Sequence, residues 1–192
     1  HKAIRRQRQM CIRDREKRMK YAVGIDAGGT NTRVALIDEN YKIIERRQFP
    51  TNEEEPETTL NDIKTVIDGF GYPVEGIGIS CPGPLDLING VVLTPPNLPG
   101  WHYFELTKCL EVKTGLSVRL ENDGNLACLA EAAIGAGKGK GYVQFLTIST
   151  GIGAGFCVNQ NIFRGAKGIC TGSCQFYFVE KRSIPGLSLI HI

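Results

Sequence analysis

Apolar and polar positions change rhythm several times along this chain, and each change predicts an element. Tyr21 to Asp26 is a short apolar run, and Thr32 to Asp38 is a second one with β-branched content. Lys42 to Phe49 reads as a third strand, and the short Gly-Gly link between the first two suits a hairpin. Within Glu53 to Phe70, Leu60, Ile63, Val66, Ile67 and Phe70 recur at helical spacing behind an acidic first turn, which predicts a helix. Val74 to Ser80 reads as a buried strand, and Asp86 to Pro96 as an extended hairpin around Asn89-Gly90. A helix is predicted over Phe104 to Thr114, ended by Gly115, then a strand over Ser117 to Glu121, then an Ala- and Leu-rich helix over Gly124 to Gly135.

Three leading strands followed by alternating helices and strands predict an α/β fold with a mixed sheet and helices on its faces. After the polar, Gly-rich link Gly135 to Gly141, Tyr142 to Ser149 and Gly155 to Ile162 repeat the opening strand–turn–strand pattern. The repetition predicts a two-lobed protein whose second lobe has just begun. Four segments follow: 1–20, a basic tail expected to be disordered or non-native; 21–135, a first lobe; 136–168, the start of a second; and 169–192, a stretch without period or caps, expected to be non-native.

Composition sharpens this in two places. The net charge of +3 comes from the tail: residues 1–20 hold nine Lys/Arg against two Asp/Glu, leaving 14 basic and 18 acidic residues for the rest. The folded body is therefore mildly acidic, and neither nucleic acid nor a membrane is an expected partner. No run of about 18 apolar residues is present and no apolar segment precedes Tyr21, so neither a membrane span nor a secretory signal is expected. Seven cysteines without framework spacing read as reduced thiols, which places the protein in the cytoplasm.

Four constellations can carry chemistry. In Asp26-Ala27-Gly28-Gly29-Thr30-Asn31-Thr32-Arg33, two glycines let backbone N–H groups converge on an anion. Thr30 and Asn31 can add donors, and Asp26 at the strand end can hold Mg²⁺ through water. An ordinary hairpin with Gly at positive φ would need neither Asp26 nor Arg33. Ser149-Thr150-Gly151-Ile152-Gly153-Ala154-Gly155 is a candidate second phosphate cradle, although any tight hairpin can look like this. Glu121-Asn122-Asp123-Gly124-Asn125 lies at a strand's carboxyl end, where ligands of α/β sheets bind. Asp123 there can take a proton from an attacking hydroxyl; equally, Asp123 or Asn122 can cap the following helix. Ser80 to Pro84 and Pro95 to Trp101 are stiff loops suited to a sugar pocket with an aromatic wall, or simply Pro-rich turns. Gly137-Lys138-Gly139-Lys140-Gly141 lacks the Ser or Thr of a Walker A loop, and Cys170 with Cys174 has no further ligand at zinc spacing.

Taken in order, these motifs resemble the ROK family (repressors, open reading frames and kinases) of the actin-like ATPase superfamily, whose fold is ribonuclease H-like. The resemblance covers about Tyr21 to Gly168. It implies two lobes around a cleft, with ATP and Mg²⁺ held between two Gly hairpins: Asp26, Gly28, Gly29, Thr30, Asn31, Thr32 and Arg33 on one side, Thr150, Gly151 and Gly153 on the other. It implies Asp123 as the base and Gly83, Asn97, Asn122 and Asp123 as sugar contacts. Zinc belongs to the full-length family, but Ile169 to Cys174 stands where its Glu/His segment would begin, so no zinc site is expected in this chain.

The expected function is ATP-dependent phosphorylation of a hexose or N-acetylhexosamine, glucose first, by a parent protein of which this is an inactive fragment. The parent is expected to be a homo-oligomer. The alternative is a sugar-sensing repressor of the same family. The 20 residues before Tyr21 offer no apolar core for a helix-turn-helix, and Asp26 and Asp123 are both present, as a kinase requires.

Overall fold

The computed structural model describes residues 20–148, 152–164 and 189–190. The expected tails and the pair Cys170/Cys174 lie otherwise outside the described residues, as do Thr150 and Gly151.

Strands β1 (Tyr21–Ala27), β2 (Asn31–Asp38) and β3 (Ile43–Pro50) form an antiparallel meander. Strand β4 (Val74–Cys81) adds in parallel to β1, and β7 (Val118–Asn122) in parallel to β4, giving the order β3-β2-β1-β4-β7. Side chains alternate across a strand, so Val23, Ile25 and Ala27 of β1 are buried with Val34 and Leu36 of β2 and Ile77 and Ile79 of β4. Helices α1 (Pro56–Gly69) and α2 (Leu106–Thr114) close this core with Leu60, Ile63, Ile67, Leu106 and Leu110. Between them, β5 (Leu85–Asp86) and β6 (Val91–Val92) make the short hairpin expected around Asn89-Gly90, and Gly90 is left-handed (φ +68°).

Helix α1 starts three residues later than its acidic lead-in predicts. Asn52 Oδ1 accepts from the amides of Glu54 (3.1 Å) and Glu55 (2.8 Å), fixing a turn there. Pro56 also disfavours helical geometry for the residue before it. Helix α2 ends where expected, with Gly115 left-handed and its N–H on Glu111 O.

A second sheet has the order β10-β9-β8-β11, with β8 at Tyr142–Ile148, β9 at Ile152–Val158, β10 at Asn161–Ile162 and β11 at Leu189–Ile190. The strand read over Gly155 to Ile162 is in fact two. Asn159 and Gln160 both adopt left-handed φ (47° and 61°) and turn the chain back, while β9 itself begins at Ile152. Helix α3 (Asp123–Ala133) leaves β7 and lies against the second sheet, where Cys128 and Ala132 are buried with Val143 and Cys157. Among the described residues no helix is long and apolar enough to cross a membrane.

Two predictions follow from this packing. A methyl group on Gly100 would lie 1.9 Å from the carbonyl oxygen of Glu54, a backbone atom that cannot swing away. Gly100→Ala is expected to lower stability by about 1–3 kcal/mol in urea unfolding. Gly69→Ala, whose methyl meets nothing within 4 Å, should raise it by roughly 0.5–1 kcal/mol. The second concerns the thiols. Burial pushes Cys81 and Cys157 up from 9.0 to about 12. Between pH 9 and 12 the unfolded chain releases protons that the native state keeps, so stability falls as pH rises through that window. Replacing both cysteines by alanine should flatten the decline in denaturation curves taken from pH 8 to 11.

Candidate functional site

The parallel strands bring three carboxyl ends side by side: Asp26 of β1 pairs with Ser80 of β4, Ser80 with Glu121 of β7, and Cys81 with Asn122. At about 4.8 Å per strand, the ends of β1 and β7 stand roughly 10 Å apart. Cys81 lies between them: its thiol is raised by burial first, then by the negative charges of Asp123 and Asp26.

The β1–β2 turn is built by close backbone approach. A Cβ on Gly28 would sit 2.9 Å from Asn31 O, and one on Gly29 would sit 3.0 Å from Cβ of Asn97. Neither glycine is left-handed, so the pair is required by space and not by φ. Thr51 fastens the turn from behind, its N–H donating to Thr30 O (3.0 Å) and its hydroxyl to Gly28 O (2.7 Å). Thr32 belongs to that fastening. It is wholly buried with its hydroxyl 2.8 Å from that of Thr51, so its side chain does not reach the open side of the turn.

Asp26 and Arg33 face each other across the hairpin, and Arg33 Nη1 donates to Asp26 Oδ2 at 2.9 Å. Ser80 Oγ donates to Asp26 Oδ1 at 2.9 Å. Each carboxylate oxygen is thus held by one hydrogen bond and keeps lone-pair capacity, and the side chain is 47% exposed. One carboxylate opening on water fits a hydrated divalent cation such as Mg²⁺, which takes one or two carboxylates and keeps most of its waters. No group of three metal-ligating side chains occurs among the described residues.

Beside the turn lies an open cleft of about 530 Å³ lined by Gly29, Thr30, Glu53, Pro96, Asn97 and Pro99. It joins the Gly turn to the exposed Asn97 and adds Glu53, which sequence reading assigned to a helix turn. The expected aromatic wall is absent: Trp101 is wholly buried, its Nε1–H donates to Asn52 O (2.9 Å), and its ring meets Phe104 edge-on. Its indole pins the loop from inside the core. Gly83 is half-buried in the loop after β4.

At β7 the capping question resolves onto Asn122. Its Oδ1 accepts from Gly124 N at 3.0 Å and its backbone is extended, as an N-cap requires. Asp123 is the first helical residue and is exposed. Its Oδ1 lies 2.8 Å from Gly124 N, and Oδ2 has no protein donor among the described residues. Glu121 is buried and accepts from Asn122 N (3.0 Å) and Asn125 Nδ2 (2.9 Å).

The second hairpin is brought to this corner by glycines. A Cβ on Gly155 would lie 2.3 Å from Gly124 O, and one on Gly124 would lie 2.8 Å from Ala154 O, so the first turn of α3 touches the β9 backbone. Gly153, on β9, is turned towards Thr147, 2.7 Å from where its Cβ would be. Asp26 and Asp123 thus both lie at the carboxyl end of the first sheet, with the Cys81 thiol between them.

Comparison with known proteins places the chain in a family. The chain is 38% identical over 152 residues to the glucokinase of Thermotoga maritima, covering 77% of this chain and 47% of that protein. It is 30% identical over 159 residues to the xylose repressor of Bacillus subtilis, covering 79% and 41%. A ROK family glucokinase from Streptomyces griseus, solved with glucose and AMPPNP, superimposes with a TM-score of 0.71 at 31% identity, covering 79% of this chain and 49% of that one. The chain thus spans about half the length of these relatives. Over residues 22–174 it matches the ROK family, and with the fold and the ordered motifs in agreement, the chain belongs to that family.

Proposed function

We propose that this chain is the N-terminal part of an ATP-dependent sugar kinase that phosphorylates a hexose or N-acetylhexosamine, glucose first. The observation that carries the reading is the exposed Asp123 carboxylate, its Oδ2 without a protein donor among the described residues, where the first turn of α3 meets the β9 backbone. A helix cap has no need of it, because Asn122 already fills that place.

In this reading the sugar lies between Asn97 and the exposed Asp123, close to Gly83, with its reacting hydroxyl on Asp123 Oδ2; Asn122 is buried behind Asp123 and acts there as the helix cap. The hydroxyl oxygen forms a bond to the γ-phosphorus as the bond to the bridging oxygen of ADP breaks, and the hydroxyl proton passes to Asp123. Amides of the Gly28–Asn31 turn, with Thr30 and Asn31 side chains, receive phosphate oxygens; Thr150, Gly151 and Gly153 do so from the facing hairpin. Arg33 is held by Asp26 and by Gln48 Oε1 (3.2 Å), and its remaining N–H groups are available to phosphate. Mg²⁺ bound through water at Asp26 would supply charge neutralisation for the phosphates.

The likeness to a xylose repressor favours a second reading, a sugar sensor without chemistry. A sensor needs the sugar contacts but not a proton acceptor, so the two readings part at Asp123.

In the full-length parent, Asp123→Asn is expected to lower kcat about 10²–10⁴-fold, with sugar affinity by calorimetry little changed. Equal turnover, followed by sugar-dependent ADP release, would remove Asp123 as the base. A wild-type parent that binds glucose but releases no ADP would favour the sensor. The 192-residue chain alone should show no sugar-dependent ADP release, since the relatives it matches are about twice as long.

A further inference from the structure

Glu121 has more hydrogen bonds than a structural carboxylate at a strand end requires. Its side chain is 6% exposed. Oε1 accepts from its neighbour's amide, Asn122 N, and from Asn125 Nδ2 one turn into α3. Oε2 accepts from both Nε (3.1 Å) and Nη2 of Arg164, two residues beyond β10. One carboxylate thereby ties the last residues of β7, the first turn of α3 and the strand end of the second sheet to a single point. The residues it brackets on both sides, Asn122 and Asp123, are the cap and the proposed base. Arg164 is about half exposed, so its charge is only partly desolvated. The arrangement also faces the same side of the sheet as Asp26, since Asp26, Ser80 and Glu121 are aligned by strand register.

We propose that Glu121 and Arg164 form a positioning clasp that ties the Asn122–Asp123 corner to the end of β10, so that the orientation of the base depends on the second sheet. The clasp rests on the phosphotransfer reading for its consequence in turnover, but not for its existence. Arg164 touches no reacting atom. It acts through Glu121 on the Asn122 amide, and through Asn125 on the first turn of α3. Losing the cation leaves a buried carboxylate with only amide donors, which is costly enough to make that corner rearrange.

Two measurements test it. In the 192-residue chain, amide hydrogen exchange is followed for Asn122 and Gly124 and, as a reference, for Ile79 in β4. Arg164→Gln should speed exchange at Asn122 and Gly124 at least about tenfold and leave Ile79 unchanged. In the full-length parent, Glu121→Gln and Arg164→Gln should each lower kcat about 10–100-fold, with KM for ATP nearly constant. The double variant should be no worse than the poorer single one, because the two act as a unit. Arg164→Lys, which keeps the charge but not the two-nitrogen grip, should recover part of the loss. Unchanged exchange at both amides overturns the clasp whatever the turnover. Accelerated exchange that extends equally to Ile79 also overturns it, by showing that the pair only holds the fold. If the wild-type parent releases no ADP, the kinase reading fails and the exchange result still decides the clasp.

Discussion

The whole site depends on one steric allowance: α3 begins in direct contact with the β9 backbone. Side chains at Gly124 and Gly155 would each drive a carbon to within 2.8 Å or less of a main-chain oxygen. Backbone has no rotamer by which to yield. With glycine at both places the helix start and the second hairpin share one surface, and Asp123 comes to the edge of that surface. Were the contact opened by a methyl on each side, α3 would have to lift. The buried set of Cys128, Ala132, Val143 and Cys157 would then lose its packing.

Charge is arranged on the same plan. Asp26 is neutralised locally by Arg33, and Glu121 by Arg164, whereas Asp123 has no protein cation within hydrogen-bond reach among the described residues. Asp123 is left facing solvent. The Cys81 thiol between these groups stays neutral, since ionising it would place a further negative charge beside Asp123 and Asp26 in a buried position. An exposed carboxylate with no protein cation among the described residues suits a proton acceptor better than a structural network does.

Much of this was legible in the sequence because local rules and the tertiary solution agree. The apolar runs Tyr21 to Asp26 and Thr32 to Asp38, the helical spacing of Leu60, Ile63 and Ile67, and Gly115 as a stop are all satisfied by the first two strands, α1 and the end of α2. Where the reading missed, a tertiary partner decided the matter. Thr32 sits in the motif beside phosphate donors, but strand parity turns it inward to Thr51, nineteen residues on. Trp101 follows a Pro-rich loop as a pocket aromatic would, yet its indole finds Asn52 O inside the core. The break at Asn159-Gln160 was hidden because neither residue is glycine, although asparagine tolerates left-handed φ better than most. The pairing of Glu121 with Arg164 joins residues 43 apart, and nothing local in either stretch announces it. Glu53 in the cleft was masked by the neighbouring acids that made the run look like a helix start.

Asn122 carries a consequence for anyone who would retune such a site. Its side-chain oxygen accepts from the amide of Gly124, so the same side chain that starts α3 also fixes which way its NH₂ group points. A directed-evolution library that randomises position 122 would therefore sample two traits at once, helix initiation and donor geometry. Most of its members would fail on the first before the second could be read. Asn97, exposed in its loop, caps no helix, so changes to its side chain beyond Cβ leave the start of α3 untouched.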